Sequence, residues 1–385
     1  MNSSPLRIAL VAGEASGDLL ASHLMAALKA RLPERDVHFF GIGGPKMQAQ
    51  GFEAWWPLEK LAVMGYVEVL KRYRELSNIR RQLKKRLLET PPDLFIGVDA
   101  PDFNLGLEAA LKVKGIATLH YVSPSIWAWR GERIKKIAKA TKRVLALFPM
   151  EPPLYEAAGV PVTYVGHPLA DQIPLVTDKK IARQKLGLPV TGEIYALLPG
   201  SRQSELDAMA DVFVRAAGRI RQIQPQARFL VPLATRETRL QFETALYRNQ
   251  AEVSSFRLLF GHAQDAMGAA DAVLVASGTA TLEVALVKRP MVIAYKLAPA
   301  TYRLMKRRSY LPYVGLPNIL AGRFVVPELL QDDASPENLA QALMNMAGDP
   351  QIAARLAAEF TDLHTLLRQN TAEKAAAAVI ECLPQ

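Results

Sequence analysis

The chain has a single cysteine, Cys382, which excludes a disulfide framework and any cysteine-based zinc site and points to a reducing compartment. Its six histidines show neither His-x-x-x-His nor Glu-x-x-His spacing, so metal-free chemistry is the default expectation. No window approaches the roughly 20 apolar residues needed to span a bilayer. The apolar run after Arg7 ends at Glu14, too short for a secretory signal core, so a cytoplasmic chain not integral to the membrane is expected. The Gly-x-Gly-x-x-Gly fingerprint is also missing. Gly13-Glu-Ala-Ser-Gly-Asp18 and Gly41-Ile-Gly-Gly-Pro45 both depart from it, which argues against NAD or FAD, and no cofactor is expected. Short-period repeats and low-complexity tracts are absent from the sequence.

At 385 residues, half of them apolar, the chain suits two domains, each able to bury a core. Lys and Arg exceed Asp and Glu by 47 to 37, a formal charge of +10. An anionic partner follows: nucleic acid, anionic lipid or a phosphorylated substrate.

Short apolar runs alternate with helical patterns. They fall at Ile8–Ala12, Val37–Gly41, Leu94–Asp99, Ala117–Val122, Val144–Phe148 and Val162–Val165, then at Ile194–Leu198, Arg228–Val231, Phe256–Leu259, Ala272–Val275 and Met291–Ala294. Near-continuous apolar strands separated by helices predict parallel sheets covered on both faces. The expected class is α/β, with two Rossmann-like doubly wound domains. The polar, Pro-containing stretch from Gly166 to Lys180 marks the boundary, giving domains over residues 1–170 and 171–350. Residues 351–385 read as two helices that pack back on the first domain or on a partner subunit, as in a homodimer. In open sheets of this type ligands bind beyond the carboxyl ends of the strands, so two such domains facing each other frame a cleft.

The most informative segment is Ala272-Val-Leu-Val-Ala-Ser-Gly-Thr-Ala-Thr-Leu-Glu283, which reads as strand, tight loop and helix. Ser277, Gly278 and Thr279 would aim backbone N–H groups and a helix N-terminus at a phosphate or diphosphate. Glu283, one turn further, would repel phosphate but accept hydrogen bonds from a ribose diol. The competing reading is an ordinary βα turn with a solvated carboxylate. A second loop, Pro199-Gly200-Ser201-Arg202, offers further N–H groups and a guanidinium for phosphate oxygens, against the alternative of a capped turn. Leu316-Pro-Asn-Ile-Leu320 adds Asn318 in a non-periodic stretch.

In the first half, Glu14 and Asp18 put carboxylates at a helix N-terminus, with Ser16 between them and Asp18 read as a cap. Asp99, at the carboxyl end of a central strand, is placed to take a proton from an attacking hydroxyl, while Asp102 caps the next helix. His120-Tyr-Val-Ser-Pro-Ser-Ile-Trp-Ala-Trp-Arg130 gathers His120, Trp127 and Trp129 into either a sugar or acyl wall or a packed loop core. Over residues 61–88, Val63, Val67, Leu70, Ile79, Leu83 and Leu87 recur near helical spacing among eight Lys and Arg residues. The additional apolar Tyr66, Val69 and Tyr73 widen the stripe beyond one core face, and the segment reads as an element that lies on an anionic membrane surface.

Taken together, these blocks resemble the lipid-A-disaccharide synthase family. The carriers are Val11-Ala-Gly-Glu-Ala-Ser-Gly-Asp18, Leu61-Ala-Val-Met-Gly65, Asp99-Ala-Pro-Asp-Phe-Asn104, the 120–130 block, Leu198-Pro-Gly-Ser-Arg202, Ala276-Ser-Gly-Thr-Ala280 and Leu316-Pro-Asn-Ile-Leu-Ala-Gly322. The resemblance implies a metal-independent GT-B glycosyltransferase joining UDP-2,3-diacylglucosamine to lipid X. It further implies a peripheral position on the cytoplasmic face of the inner membrane. It puts Asp99 at the general base, Glu14 at an acidic acceptor-side position, Arg202 and Asn318 at catalytic or donor-contacting positions, and Glu283 at the ribose. Ser16, His120, Trp127 and Trp129 are then expected on the acceptor side, and Val67, Val69, Leu70 and Tyr73 at the membrane. Rival readings are another sugar-nucleotide enzyme of the same architecture, such as a UDP-GlcNAc 2-epimerase or transferase, or a non-catalytic basic binding protein. Nucleic acid is disfavoured because Glu14 and Asp99 would face its phosphates.

Overall fold

The computed structural model describes residues 5–61 and 66–383, without the side chains of 66–72, 300 and 304. Two compact units result, one of residues 1–171 with 367–385 and one of 172–366. The first holds β1 Leu6–Ala12, β2 Val37–Gly43, β3 Glu53–Pro57, β4 Leu94–Val98, β5 Ala117–Tyr121, β6 Arg143–Ala146 and β7 Val162–Tyr164. These form one parallel sheet in the order β3-β2-β1-β4-β5-β6-β7. The second holds β8 Ile194–Leu198, β9 Arg228–Leu233, β10 Phe256–Phe260, β11 Ala272–Ala276, β12 Met291–Tyr295 and β13 Glu328–Leu330, parallel in the order β10-β9-β8-β11-β12-β13.

Strand β1 shows why its sequence is apolar at every position. Leu6, Ile8, Leu10 and Ala12 face a core shared with Leu24 and Leu28 of the helix Ala15–Arg31 and with Ala375 and Val379 near the C-terminus. Ala9 and Val11 face the opposite core with Ile79, Leu83 and Leu87 of the helix Tyr66–Glu89. A strand covered on both sides leaves no polar register to alternate with.

Strands β3 and β13 are absent from the sequence reading for a related reason. Both are edge strands: β3 is half-exposed and ends in proline, and β13 is three residues long, so neither carries a buried-strand signature. The tail beyond residue 350 is divided between the units. Helix Pro350–Leu367 falls almost entirely in the second, whereas helix Thr371–Ile380 packs on Ala15–Arg31 of the first. Asp171 anchors that second helix by accepting from the backbone N–H groups of Asn370 (3.0 Å) and Thr371 (2.7 Å).

Each sheet has one point where the chain reverses its direction of travel. In the first it lies between β1 and β4, in the second between β8 and β11. Loops leaving adjacent strands there diverge to opposite faces and open a crevice. No helix among the described residues is long and apolar enough to cross a membrane.

Candidate functional site

The crevice between β1 and β4 is a cavity of about 350 Å³ lined by Gly13, Glu14, Leu61, Tyr73, Arg80 and Asp99, among others. Gly13 is required by close approach: a Cβ there would lie 2.8 Å from the Ala100 Cβ. Asp99 and Ala100 are both left-handed, with φ of 53° and 43°, a conformation that costs non-glycine residues energy and is retained where surrounding contacts enforce it. Those contacts are present. The Asp99 N–H donates to the Tyr121 carbonyl (2.8 Å), and the buried Asn104 donates through Nδ2 to the carbonyls of Asp99 (2.8 Å) and Val11 (3.3 Å). The Asp99 carboxylate is thus presented at the cavity by a braced loop.

The crevice between β8 and β11 is a cavity of about 380 Å³. It brings together Gly200, Ser201, Arg202, Ser277, Gly278, Thr279 and Glu283, two loops that lie far apart in sequence. Gly278, with φ 137°, caps the helix Thr279–Leu286, and a residue with a side chain would be strained at that turn. Glu283 is half-buried, and desolvation raises its carboxyl pKa above the usual range. One expectation is corrected. The backbone N–H groups of Ser201 (2.9 Å) and Arg202 (3.3 Å) already donate to Glu205 Oε2, so the Glu205 carboxylate caps the start of the helix Gln203–Ile223. A phosphate would have to displace that carboxylate to use them. Glu205 was missed because its role depends on the folded turn.

Asn318 is also placed differently from the expectation. It is fully buried, donating to the Val326 carbonyl (2.9 Å) and Glu328 Oε1 (2.8 Å) and accepting from the N–H groups of Val325 (2.7 Å) and Val326 (3.0 Å). With its amide so engaged, Asn318 organises the chain from Val325 to Glu328. His120 is corrected likewise: it is 0% exposed and pairs through Nδ1 with the equally buried Glu108 at 2.7 Å. Burial alone would lower the imidazole, but the Glu108 carboxylate outweighs it and holds the pKa raised. Gly97 makes room, since a Cβ there would meet Glu108 Oε1 at 2.1 Å.

Ser16, Trp127 and Trp129 do not line the Asp99 cavity. Trp127 donates its indole N–H to Glu151 (3.1 Å) and packs edge-on against Phe148, a loop core; Trp129 carries the Arg130 guanidinium on its ring, 4.2 Å from the centroid. Asp18 caps the neighbouring helix Pro45–Ala49, accepting from Gly44, Lys46 and Met47 N–H groups at 2.9, 3.0 and 3.1 Å. Val63 and the side chains of Val67, Val69 and Leu70 lie outside the described residues. Tyr73 is 59% exposed, whereas Ile79, Leu83 and Leu87 are core. Tyr73, Leu76, Ser77 and Arg80 line the Asp99 cavity at helical i, i+3, i+4, i+7 spacing, a face hidden in sequence by the surrounding basic residues. Among the described residues no group of three or more His, Cys, Asp or Glu could hold a metal ion.

A family model described as lipid-A-disaccharide synthetase matches residues 8–379. A lipid-A-disaccharide synthase of Dechloromonas aromatica is 70% identical over 99% of each chain, and one of Azoarcus is 61% identical over 98% of this chain and 96% of its own. Among solved structures, a UDP-N-acetylglucosamine 2-epimerase described as putative, from Listeria monocytogenes, aligns with TM-score 0.65 at 10% identity over 98% of this chain and 95% of its own. That last likeness concerns the fold alone, two parallel-sheet α/β domains of the GT-B class.

Proposed function

The chain belongs to the lipid-A-disaccharide synthase family and is a glycosyltransferase of lipid A biosynthesis; on that premise we propose that it joins UDP-2,3-diacylglucosamine to 2,3-diacylglucosamine 1-phosphate (lipid X), releasing UDP and forming a β-1,6-linked disaccharide 1-phosphate with inversion. The observation that carries this is the division of chemistry between the two switch-point cavities. One presents Asp99 and Glu14, the other an arginine, a helix N-terminus and a half-buried carboxyl.

Asp99 takes the proton from the acceptor 6-hydroxyl as it attacks the anomeric carbon. Glu14 shares the acceptor cavity and orients the sugar. In the second unit, residues 172–366, the N-terminus at Ser277, Gly278 and Thr279 and the Arg202 guanidinium stabilise charge as it develops on the departing UDP, and Glu283 accepts from the ribose hydroxyls. Residues 1–171 with 367–385 form the acceptor domain. Both sugars carry acyl chains, so the enzyme works peripherally at the cytoplasmic face of the inner membrane, with the basic helix Tyr66–Glu89 and the exposed Tyr73 at the lipid surface.

The test is UDP release by the purified protein given both lipid substrates in detergent with EDTA, with UDP-N-acetylglucosamine as the control donor. Turnover with the diacylated donor alone establishes the reaction and its metal independence. Turnover with the unacylated donor instead would point to a soluble sugar-nucleotide enzyme.

A further inference from the structure

Resting on that reading of the first domain, we infer that the cavity bounded by Arg130, Arg133 and Lys136, beside the start of the helix Pro101–Lys112, takes the phosphate monoester of the acceptor sugar. This second cavity, of about 430 Å³, shares Pro101 and Asp102 with the one that holds Asp99 and Glu14. A sugar whose hydroxyl lies at Asp99 therefore directs its far end past Asp102 toward these cations.

The local field suits a dianion. Residues 130–143 carry Arg130, Arg133, Lys135, Lys136, Lys139, Lys142 and Arg143 against one carboxylate, Glu132, which itself lines the cavity. Asp102 would repel a phosphate, but Arg133 engages it at 2.7 Å. Arg143 is taken by Glu381. Arg130 and Lys136 pair with no carboxylate among the described residues, so they are available to an incoming anion. Arg80 approaches Asp102 from the Asp99 side, its Nη1 at 3.5 Å from the Asp102 carbonyl oxygen.

Arg130 also has a left-handed backbone, φ 54°, a strain of the kind that accumulates at ligand clamps. Its guanidinium stacked on Trp129 is pre-oriented, leaving N–H edges for the two-pronged grip on phosphate oxygens that a lysine cannot make. A bilayer headgroup would satisfy the same charges, but the shared wall with the Asp99 cavity favours a ligand that reaches both.

The test measures kcat/KM of the full chain in uncharged detergent micelles for lipid X and for its dephosphorylated counterpart, in wild type, Arg130→Ala and Lys136→Ala. The expected result is a loss of about tenfold to a hundredfold with lipid X, a far smaller loss without the phosphate, and unchanged donor KM and melting temperature. Equal losses with both acceptors, or none, would overturn the assignment. So would an intact preference for the phosphorylated acceptor combined with lost binding to phosphatidylglycerol vesicles, which would make the cavity a membrane contact. If wild type turns over neither acceptor, the glycosyl-transfer reading fails separately. A titration of tryptophan fluorescence with glucosamine 1-phosphate then decides: a response lost in Arg130→Ala supports the site, and no response in wild type refutes it.

Discussion

Asn318 Nδ2 donates to Glu328 Oε1 at 2.8 Å, and the same carboxylate accepts the backbone N–H groups of Val314 (2.9 Å) and Gly315 (2.8 Å). The loop so fixed meets the donor-side helix, with Leu316 N–H on Thr281 Oγ1 (3.2 Å) and Ser277 Oγ on the Val314 carbonyl (3.4 Å). Asn318 therefore supports the cavity between β8 and β11 from behind. Asn318→Ala strands two backbone N–H groups and part of a carboxylate, so it should cost about 2–4 kcal/mol of stability and weaken UDP binding together. Thermal melting beside UDP calorimetry checks this. A variant with native melting temperature, native UDP affinity and lost turnover would show that Asn318 acts on the substrate itself.

Glu205 poses the opposite case, a residue whose local and functional interests conflict. It caps its own helix through the Ser201 and Arg202 N–H groups, the donors a diphosphate would use. Glu205→Ala should lose about 1 kcal/mol of stability with these capping hydrogen bonds yet bind UDP several-fold more tightly. Weaker UDP binding at full folding would mean that the carboxylate holds the loop in its binding shape.

Much of this was legible in sequence, and what was not shares a cause. Strands buried on both faces, such as β1, β4, β8 and β11, announce themselves as apolar runs, and the loops that leave them at Gly13, Asp99, Arg202 and Ser277 line the two switch-point cavities. The roles of His120, Asn318 and Glu205 were not legible, because each is set by a partner that only the folded chain supplies: Glu108 across a strand, Glu328 beyond a loop, and two N–H groups in a turn. Residue type marks a polar side chain as expensive to bury, but not which partner compensates it. The Tyr73 to Arg80 face was masked by its basic surroundings for the same reason.

Asp99→Asn keeps the volume and hydrogen-bonding capacity of the side chain but removes its basicity. Turnover should fall by about 10²- to 10⁴-fold while UDP affinity and melting temperature stay at wild-type values, since Asn104 and Tyr121 hold the loop through its backbone. Rapid-quench measurement of UDP formation is the check, and near-normal turnover would remove Asp99 from the role of base.

Glu283→Ala tests the ribose contact. Removing a half-buried carboxyl whose pKa is raised by desolvation should weaken UDP at least tenfold but leave inorganic pyrophosphate binding unaltered, because the proposed mechanism assigns the phosphates to Arg202 and the helix N-terminus. Equal losses for both ligands would place Glu283 at the diphosphate.

Glu151 gives the chain a predictable pH dependence. Burial raises its pKa from the ordinary 4.5 to about 7, despite hydrogen bonds from the Phe148 N–H and Trp127 that favour the ion. Between those values the unfolded chain has released this proton and the folded chain has kept it, so stability falls as pH rises from about 4.5 to about 7 and is flat above. His167 works in the opposite sense. Burial lowers it to about 4, so the unfolded chain takes up its proton first and stability falls as pH drops from 6.5 toward 4. The two slopes oppose each other over most of that range, and wild type conceals both. Glu151→Gln removes only the first, so its stability relative to wild type should rise by up to roughly 3 kcal/mol between pH 5 and pH 8. Denaturant melts of both proteins at the two pH values measure the difference directly, and a gap that does not change with pH would mean that Glu151 is ionised in the fold throughout.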